Sequence, residues 1–112
     1  MFARSVTIRV KPNAISEFNR TFEKETLPLL QKQKGFQDAI SLVASNGSKV
    51  VGISLWDQKE DAEAYNLTTY TEVQKVLSEG IEGTPQVQTY EVSVSTFHKV
   101  AAHSRARASF KR

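Results

Sequence analysis

A chain of 112 residues with 39% hydrophobic residues, 24% charged residues and a net charge of +3 has the composition of one small globular domain. The absence of cysteine excludes disulfides, thiolate catalysis and thiolate metal sites, and no run of roughly 18 apolar residues is present for a transmembrane helix. Arg4 and Arg9 lie where a signal peptide needs an apolar segment. We therefore expect a cytoplasmic protein without a membrane partner.

The basic residues are concentrated near the C-terminus. Residues 1–98 hold ten Lys/Arg and twelve Asp/Glu, a balance of −2, whereas residues 99–112 hold five basic residues and no acid, a balance of +5. This divides the chain into a folded domain and a basic tail. The tail carries no nucleic-acid motif or aromatic platform, so a nucleic acid or acidic partner ranks last among the possible partners.

The chain begins with a predicted strand at residues 2–10, where Val6 and Ile8 share one face and polar residues occupy the other. Asn13 is a predicted N-cap for a helix whose apolar residues recur three, four and about seven positions apart. Pro28 should kink or restart this helix because it has no N–H.

Two further strands are predicted at residues 37–44 and 50–56. Asn46 and Gly47 lie between them, and this pair favours the type I′ turn of an antiparallel hairpin. Trp56, the only tryptophan, ends the second of these strands. If the protein has a pocket, this corner and the helix after it are expected to line it.

The next helix is predicted to begin at Asp57, because Asp57 and Glu60 have the spacing of a capping box. Ala62 and Tyr65 should face inward on this helix. The Asn- and Thr-rich stretch 66–71 is a poor helix former and predicts a break.

A last helical segment carrying Val73 and Leu77 should end at Gly80, and residues 87–97 form the last predicted strand. The order β-α-β-β-α-β is the ferredoxin-like plan of the α+β class, a four-stranded antiparallel sheet with both helices on one face. The other face of the sheet has apolar positions to cover, which favours a homodimer.

Four short stretches carry a family resemblance: VKPN at 10–13, LWD at 55–57, DAEAY at 61–65 and PQVQTYEV at 85–92. With these motifs, residues 2–97 resemble the antibiotic biosynthesis monooxygenase family. The resemblance implies a dimeric α/β barrel. It also implies one of two activities, because the family includes cofactor-independent oxygenases of phenols and quinols as well as haem-degrading enzymes.

The haem-degrading members use an asparagine on the first strand, a tryptophan one turn into the second helix and a histidine further along it. This chain has Ser5 or Val6, Tyr65 and Lys75 at the corresponding positions. A protonated lysine cannot ligate iron, so the resemblance does not extend to haem, and no cofactor or metal is expected.

A cofactor-independent oxygenase takes its electrons from the aromatic substrate, so the protein must bind a flat molecule and stabilise its anion away from water. Tyr65, Asn66 and Tyr70 are the candidate catalytic residues, because an amide and two hydroxyls can polarise an oxygen. A tyrosinate, Glu91 or water could remove the proton. The candidate substrate-binding residues are Trp56, Ser5, Thr7, Lys75 and Glu91.

Each candidate also has a purely structural interpretation. Trp56 could be a core or interface residue, Tyr65 and Tyr70 could be packing residues, and Glu91 could pair with Arg9 across two strands. The sequence therefore predicts a cofactor-independent monooxygenase acting on a small quinol or phenol. The alternative is a ligand-binding dimeric barrel without catalysis.

Overall fold

The computed structural model describes residues 1–98, except for the side chain of Glu79; the predicted tail at 99–112 lies outside the described residues. Four antiparallel strands form one sheet in the order β2-β3-β1-β4. The strands are β1 (Phe2–Val10), β2 (Phe36–Val43), β3 (Lys49–Trp56) and β4 (Ile81–Glu91).

Two interrupted helical stretches follow β1 and β3. The helices are α1 (Ile15–Thr21) and α2 (Leu27–Gln31) in the first stretch, and α3 (Lys59–Thr68) and α4 (Tyr70–Leu77) in the second. A π-helical turn, Phe22–Thr26, joins α1 to α2, and a 3-10 turn, Ser78–Gly80, follows α4. This order confirms the predicted ferredoxin-like α+β fold. No helix in the described part of the chain is long and apolar enough to cross a bilayer.

The face of the sheet that packs on the helices is called here the inner face. Val6 lies opposite Gly52, and Ile8 lies opposite Val50, so the even-numbered residues of β1 and β3 share this face. The core is built on it. Its largest fully buried side chain is Trp56, which is 0% exposed.

The first helical stretch is broken where Pro28 was expected to disturb it. Pro28 occupies the first turn of α2, and the π-helical turn lies immediately before that helix. The predicted Asn13 cap was wrong. Asn13 has a φ of 66°, and the helix begins after Ala14 without a side-chain cap.

The β2–β3 hairpin is confirmed, but its turn type was wrong. Of the two turn residues, Gly47 has a positive φ and Asn46 does not, whereas a type I′ turn needs a positive φ at both. The Asn46 side chain instead accepts hydrogen bonds from the backbone N–H and hydroxyl of Ser48. Because this local contact organises a longer loop, the dipeptide predicts the hairpin and not its geometry.

The start of α3 also differs from the prediction. Gln58 occupies the N-cap position and makes no side-chain cap, while the Asp57 carboxylate accepts a hydrogen bond of 2.6 Å from the Gln37 amide. Asp57 therefore ties the β3–α3 corner to β2. The predicted break in the second helical stretch is confirmed at Thr69, between α3 and α4.

The last strand was placed too late in the sequence. It begins at Ile81, contains Pro85 on an edge of the sheet, and ends at Glu91. In the resulting register Glu91 lies opposite Phe2, and Arg9 lies opposite Glu82. The predicted Arg9–Glu91 pair is therefore wrong, because the two residues lie at opposite ends of β1.

The opposite side of the sheet is called here the outer face. On β2 and β3 it is apolar, and Ile40 and Leu42 are 53% and 50% exposed. On β1 and β4 it is polar, with Ser5 opposite Gln88 and Thr7 opposite Gln86. In this chain the outer face therefore presents exposed aliphatic side chains beside a polar half.

Candidate active site

A cavity of about 60 Å³ lies between the inner face and the helices. The strands form its floor, and the π-helical turn, α3 and α4 contribute walls. Most of its lining is apolar. The exposed Ser41 on β2 and the half-buried Gln74 on α4 mark places where this lining meets solvent.

The floor of the cavity carries small side chains. Ala39, Ser41, Gly52 and Ser54 all line it. A Cβ added at Gly52 would have no neighbour within 4 Å, so the space above this residue is open. The inner face is thus flat and unfilled at this point, where a flat ring could lie.

Arg4 is buried on this inner face, with only 3% of its surface exposed. Its Nη2 donates a hydrogen bond of 2.8 Å to Asn66 Oδ1. Its Cζ lies 4.1 Å from the Tyr70 ring centroid and 5.3 Å from that of Tyr65. The rings stabilise the cation electrostatically, and among the ion pairs of the described side chains none involves Arg4.

Tyr65 lines the same cavity and is 3% exposed. Burial raises the pKa of Tyr65 to about 12; the charge of Arg4 opposes this rise, and the proximity of Tyr70 adds to it. Tyr65 is consequently a neutral phenol near pH 7. It can donate a hydrogen bond, and its raised pKa disfavours the tyrosinate considered from the sequence.

Solved structures with the same fold include oxygenases. A Streptomyces coelicolor monooxygenase in complex with nanaomycin D superposes with a TM-score of 0.73 at 17% identity, covering 88% of this chain and 92% of that chain. The fold is that of the antibiotic biosynthesis monooxygenase structures. No family model matches the sequence, and no curated protein matches it.

Two further solved structures share the fold with similar TM-scores. A putative antibiotic biosynthesis monooxygenase from Bordetella bronchiseptica has a TM-score of 0.71 at 14% identity and covers 83% of this chain and 97% of its own. SnoaB, a cofactor-independent oxygenase from Streptomyces nogalater, has a TM-score of 0.71 at 15% identity, with coverage of 85% and 95%. Proteins of unknown function share the fold as well, so the likeness establishes the architecture alone.

The three predicted catalytic residues come together around Arg4. Tyr65 and Tyr70 line the cavity, with ring centroids 6.1 Å apart. Asn66 is exposed and acts on the cavity through its hydrogen bond to Arg4. The middle of the second helical stretch therefore brings two tyrosines to the cavity and an amide to Arg4.

The structure corrects the predicted position of Trp56. Its ring lies in the core, 5.2 Å from the Tyr65 ring and 5.6 Å from the Phe36 ring, and its Nε1 donates to Ser54 Oγ at 2.9 Å. Trp56 supports Tyr65 from behind and does not line the cavity. The position of Trp56 fits the interpretation of this residue as a core residue.

The other predicted substrate-binding residues also lie outside the cavity. Ser5 and Thr7 are on the outer face, because the side chains of β1 alternate and the even-numbered ones face inward. Lys75 is exposed on α4, and Glu91 is exposed at the end of β4. The lining of the cavity therefore does not include Ser5, Thr7, Lys75 or Glu91.

Sequence reasoning missed Arg4, Thr26 and Gln74 as residues of the site. For Arg4 a signal existed: it is a single charge on the otherwise apolar even-numbered face of β1. A charge in that position is costly unless it is paired or functional. Among the described residues no group of three His, Asp or Glu side chains could hold a metal ion.

Proposed function

We propose that this protein is a cofactor-independent monooxygenase that oxidises a small phenol or quinol held in the cavity. The observation that supports the proposal is the buried guanidinium of Arg4, which borders an apolar cavity beside two tyrosine rings. A phenolate is the flat anion that such a site would bind. The cation would stabilise the anion more strongly here than in water, because little solvent screens the charges.

The chemistry requires electrons from the substrate itself. A phenolate can transfer electrons to oxygen, whereas the neutral phenol does so far less readily, so lowering the pKa of the bound phenol is the step assigned to Arg4. One oxygen atom then enters the ring as a quinone carbonyl, and the other leaves as water. A phenol and O2 thereby give a quinone and water, and a hydroquinone and O2 give a hydroxyquinone and water, with all four electrons supplied by the ring in both cases.

The proton of the substrate would leave to water. Tyr65 is held neutral by its raised pKa, so its role would be to donate a hydrogen bond to the developing oxyanion. Glu91 lies at the end of β4, outside the cavity lining. Arg4 makes water a sufficient acceptor by shifting the equilibrium of the phenol toward its anion.

The volume of the cavity sets the size of the ligand. At about 60 Å³ it is smaller than the roughly 150 Å³ engineered cavity that holds benzene in another protein. Even a single-ring ligand therefore needs some movement of the lining, and a two-ring ligand needs more. Tyr70 and Gln74 are the half-buried side chains of α4 that would move.

We also propose that the protein forms a homodimer through its outer face. Ile40 and Leu42 are half exposed there, and Val51, Ile53 and Leu55 lie beside them on β3. A second copy would cover this apolar half in an isologous interface, in which the same patch serves both protomers. The concentration dependence of the sedimentation coefficient tests this assembly directly.

Binding without catalysis is the second candidate function, and one observation favours it. The described lining of the cavity contains no histidine, aspartate or glutamate to act as a base. A protein that only carries an anionic aromatic would need Arg4 and the cavity, and nothing more.

The decisive experiment compares wild-type protein with Arg4→Met, using Arg9→Met as the matched control on the same strand. Oxygen uptake and quinone formation are followed with a panel of one- and two-ring phenols and hydroquinones. We expect oxygen consumption equal to quinone formation and a decrease of at least about 100-fold in kcat/KM for Arg4→Met. Arg9 lies on the outer face, so Arg9→Met should keep wild-type rates.

The outcomes separate the two functions. Phenol binding that depends on Arg4, without any oxygen uptake, would establish the binding protein and contradict the oxygenase. Oxygen uptake that survives Arg4→Met would contradict the role given to the guanidinium.

A further inference from the structure

The hydroxyl of Thr26 is buried without a hydrogen-bond partner. Thr26 is 2% exposed, and its Oγ1 is the one buried side-chain polar atom of the described residues that has no partner. Leaving a buried hydroxyl unsatisfied costs stability, so the few such groups in native proteins call for an explanation. Thr26 lines the cavity, which is where a partner could arrive.

Thr26 ends the π-helical turn, and its hydroxyl makes no bond within that turn. In a regular helix a threonine hydroxyl can donate to the carbonyl four residues earlier. Thr68 does so in α3, where its Oγ1 lies 2.7 Å from the Ala64 carbonyl. For Thr26 the corresponding carbonyl is that of Phe22, which accepts from the backbone N–H of Leu27 in the π-helical turn, and the Thr26 hydroxyl makes no bond to it. The hydroxyl of a residue that lines the cavity is thus left without a local bond.

Thr26 and Arg4 reach the cavity from different walls. Thr26 comes from the first helical stretch, whereas Arg4 rises from the sheet and is held by Asn66 and Tyr70 of the second stretch. The small floor residues, Gly52 among them, lie in the same cavity and leave space above the sheet. A flat ligand that enters as the lining moves would therefore lie in a cavity that both groups border.

We propose that Thr26 binds a second oxygen of the ligand, so that the site selects a hydroquinone over a phenol of the same size. This inference rests on the proposed function, because it assumes that Arg4 binds the first oxygen. A threonine hydroxyl both donates and accepts, so it can accept from the hydroxyl of a quinol and donate to the carbonyl of a quinone. Thr26 is accordingly a specificity-determining residue for the proposed substrate.

Two matched probes test the proposal: hydroquinone, and 4-methylphenol, in which a methyl group replaces the second hydroxyl. Their dissociation constants are measured by ligand-observed NMR for wild-type protein, Thr26→Val, Thr26→Ser and Arg4→Met. We expect Thr26→Val to weaken hydroquinone binding about tenfold and to leave 4-methylphenol binding unchanged. Thr26→Ser should retain the preference, and Arg4→Met should weaken both probes.

The thermal stability of the free protein provides a control for folding. Thr26→Val removes an unsatisfied hydroxyl and should raise the melting temperature, whereas Thr68→Val removes a bonded one and should not. A loss of hydroquinone binding in Thr26→Val therefore cannot come from unfolding.

Each result has one meaning for the proposal. Equal binding of hydroquinone by Thr26→Val and wild-type protein, with both probes weakened by Arg4→Met, would overturn the role of Thr26 and leave the proposed function standing. A selective effect of Thr26→Val without any effect of Arg4→Met would support Thr26 and overturn the anion site. Wild-type protein that binds neither probe would overturn both.

Discussion

On the inner face of the sheet a charged residue, Arg4, is buried among aromatic rings, whereas on the outer face aliphatic residues such as Ile40 and Leu42 are half exposed. Each face thus departs from the usual distribution of polar and apolar residues, and the two depart in opposite directions. A buried cation loses hydration, and an exposed aliphatic side chain keeps water in contact with apolar surface. Each cost is offset only if something else contacts that residue.

The two faces differ in what could offset the cost. Around Arg4 part of the compensation is already present in the Asn66 hydrogen bond and the Tyr70 ring, and Arg4 also lines a cavity. On the outer face Phe97 borders Ile40, Ile53 and Leu55, yet Ile40 and Leu42 remain half exposed. The comparison is consistent with the proposed small ligand on the inner face and the proposed second copy on the outer face.

The largest change in unfolding free energy is expected from Trp56→Ala on the inner face. Trp56 is fully buried against Tyr65 and Phe36, so its removal should cost about 3 to 5 kcal/mol of unfolding free energy. Leu67, which is 80% exposed on α3, gives the control, and Leu67→Ala should change stability by less than about 0.5 kcal/mol. Urea denaturation measures both. Equal losses of unfolding free energy for the two variants would show that the inner aromatic cluster does not stabilise the core.

An intermediate loss of unfolding free energy is expected when the pH is raised. Because the pKa of Tyr65 is raised from 10.0 to about 12, its contribution to stability is complete below pH 10 and is lost as the pH rises through 12. The loss should amount to roughly 2 to 3 kcal/mol. It should disappear in Tyr65→Phe and persist in Tyr90→Phe, because Tyr90 is exposed on the outer face. Unfolding free energies measured between pH 9 and pH 12 decide this, and an unchanged pH dependence in Tyr65→Phe would contradict the buried neutral phenol.

The smallest change in the unfolding free energy of the protomer, within about 0.5 kcal/mol, is expected from Leu42→Lys on the outer face. Leu42 is half exposed, so the lysine can remain solvated in a monomer, but it would place a charge in the proposed dimer interface. Analytical ultracentrifugation should show a dimer for wild-type protein and a monomer for Leu42→Lys. Leu67→Lys, on the exposed surface of α3, should remain dimeric. A monomeric wild-type protein at all concentrations would refute the interface.

Local patterns were sufficient to predict the elements and their order. The alternation of β1, the hairpin at Asn46 and Gly47, and the break between α3 and α4 all depend on residues close in sequence. Their physical basis is equally local, in the pleat of a strand and in the propensities of a few residues. Errors arose where a nonlocal contact took precedence, as when Gln37 drew Asp57 away from the cap of α3.

The sequence by itself determined the ferredoxin-like plan, the two apolar helical stretches and the presence of tyrosines in the middle of the second one. Only the tertiary structure decided that Arg4, 62 positions from Asn66 along the chain, shares a cavity with Tyr65 and Thr26. The register of β1 against β3 brings Arg4 beneath the helices, and the fold buries the hydroxyl of Thr26 in the π-helical turn without a partner. Periodicity can assign a residue to a face, but the packing of distant segments determines which residues meet there and what space they leave between them.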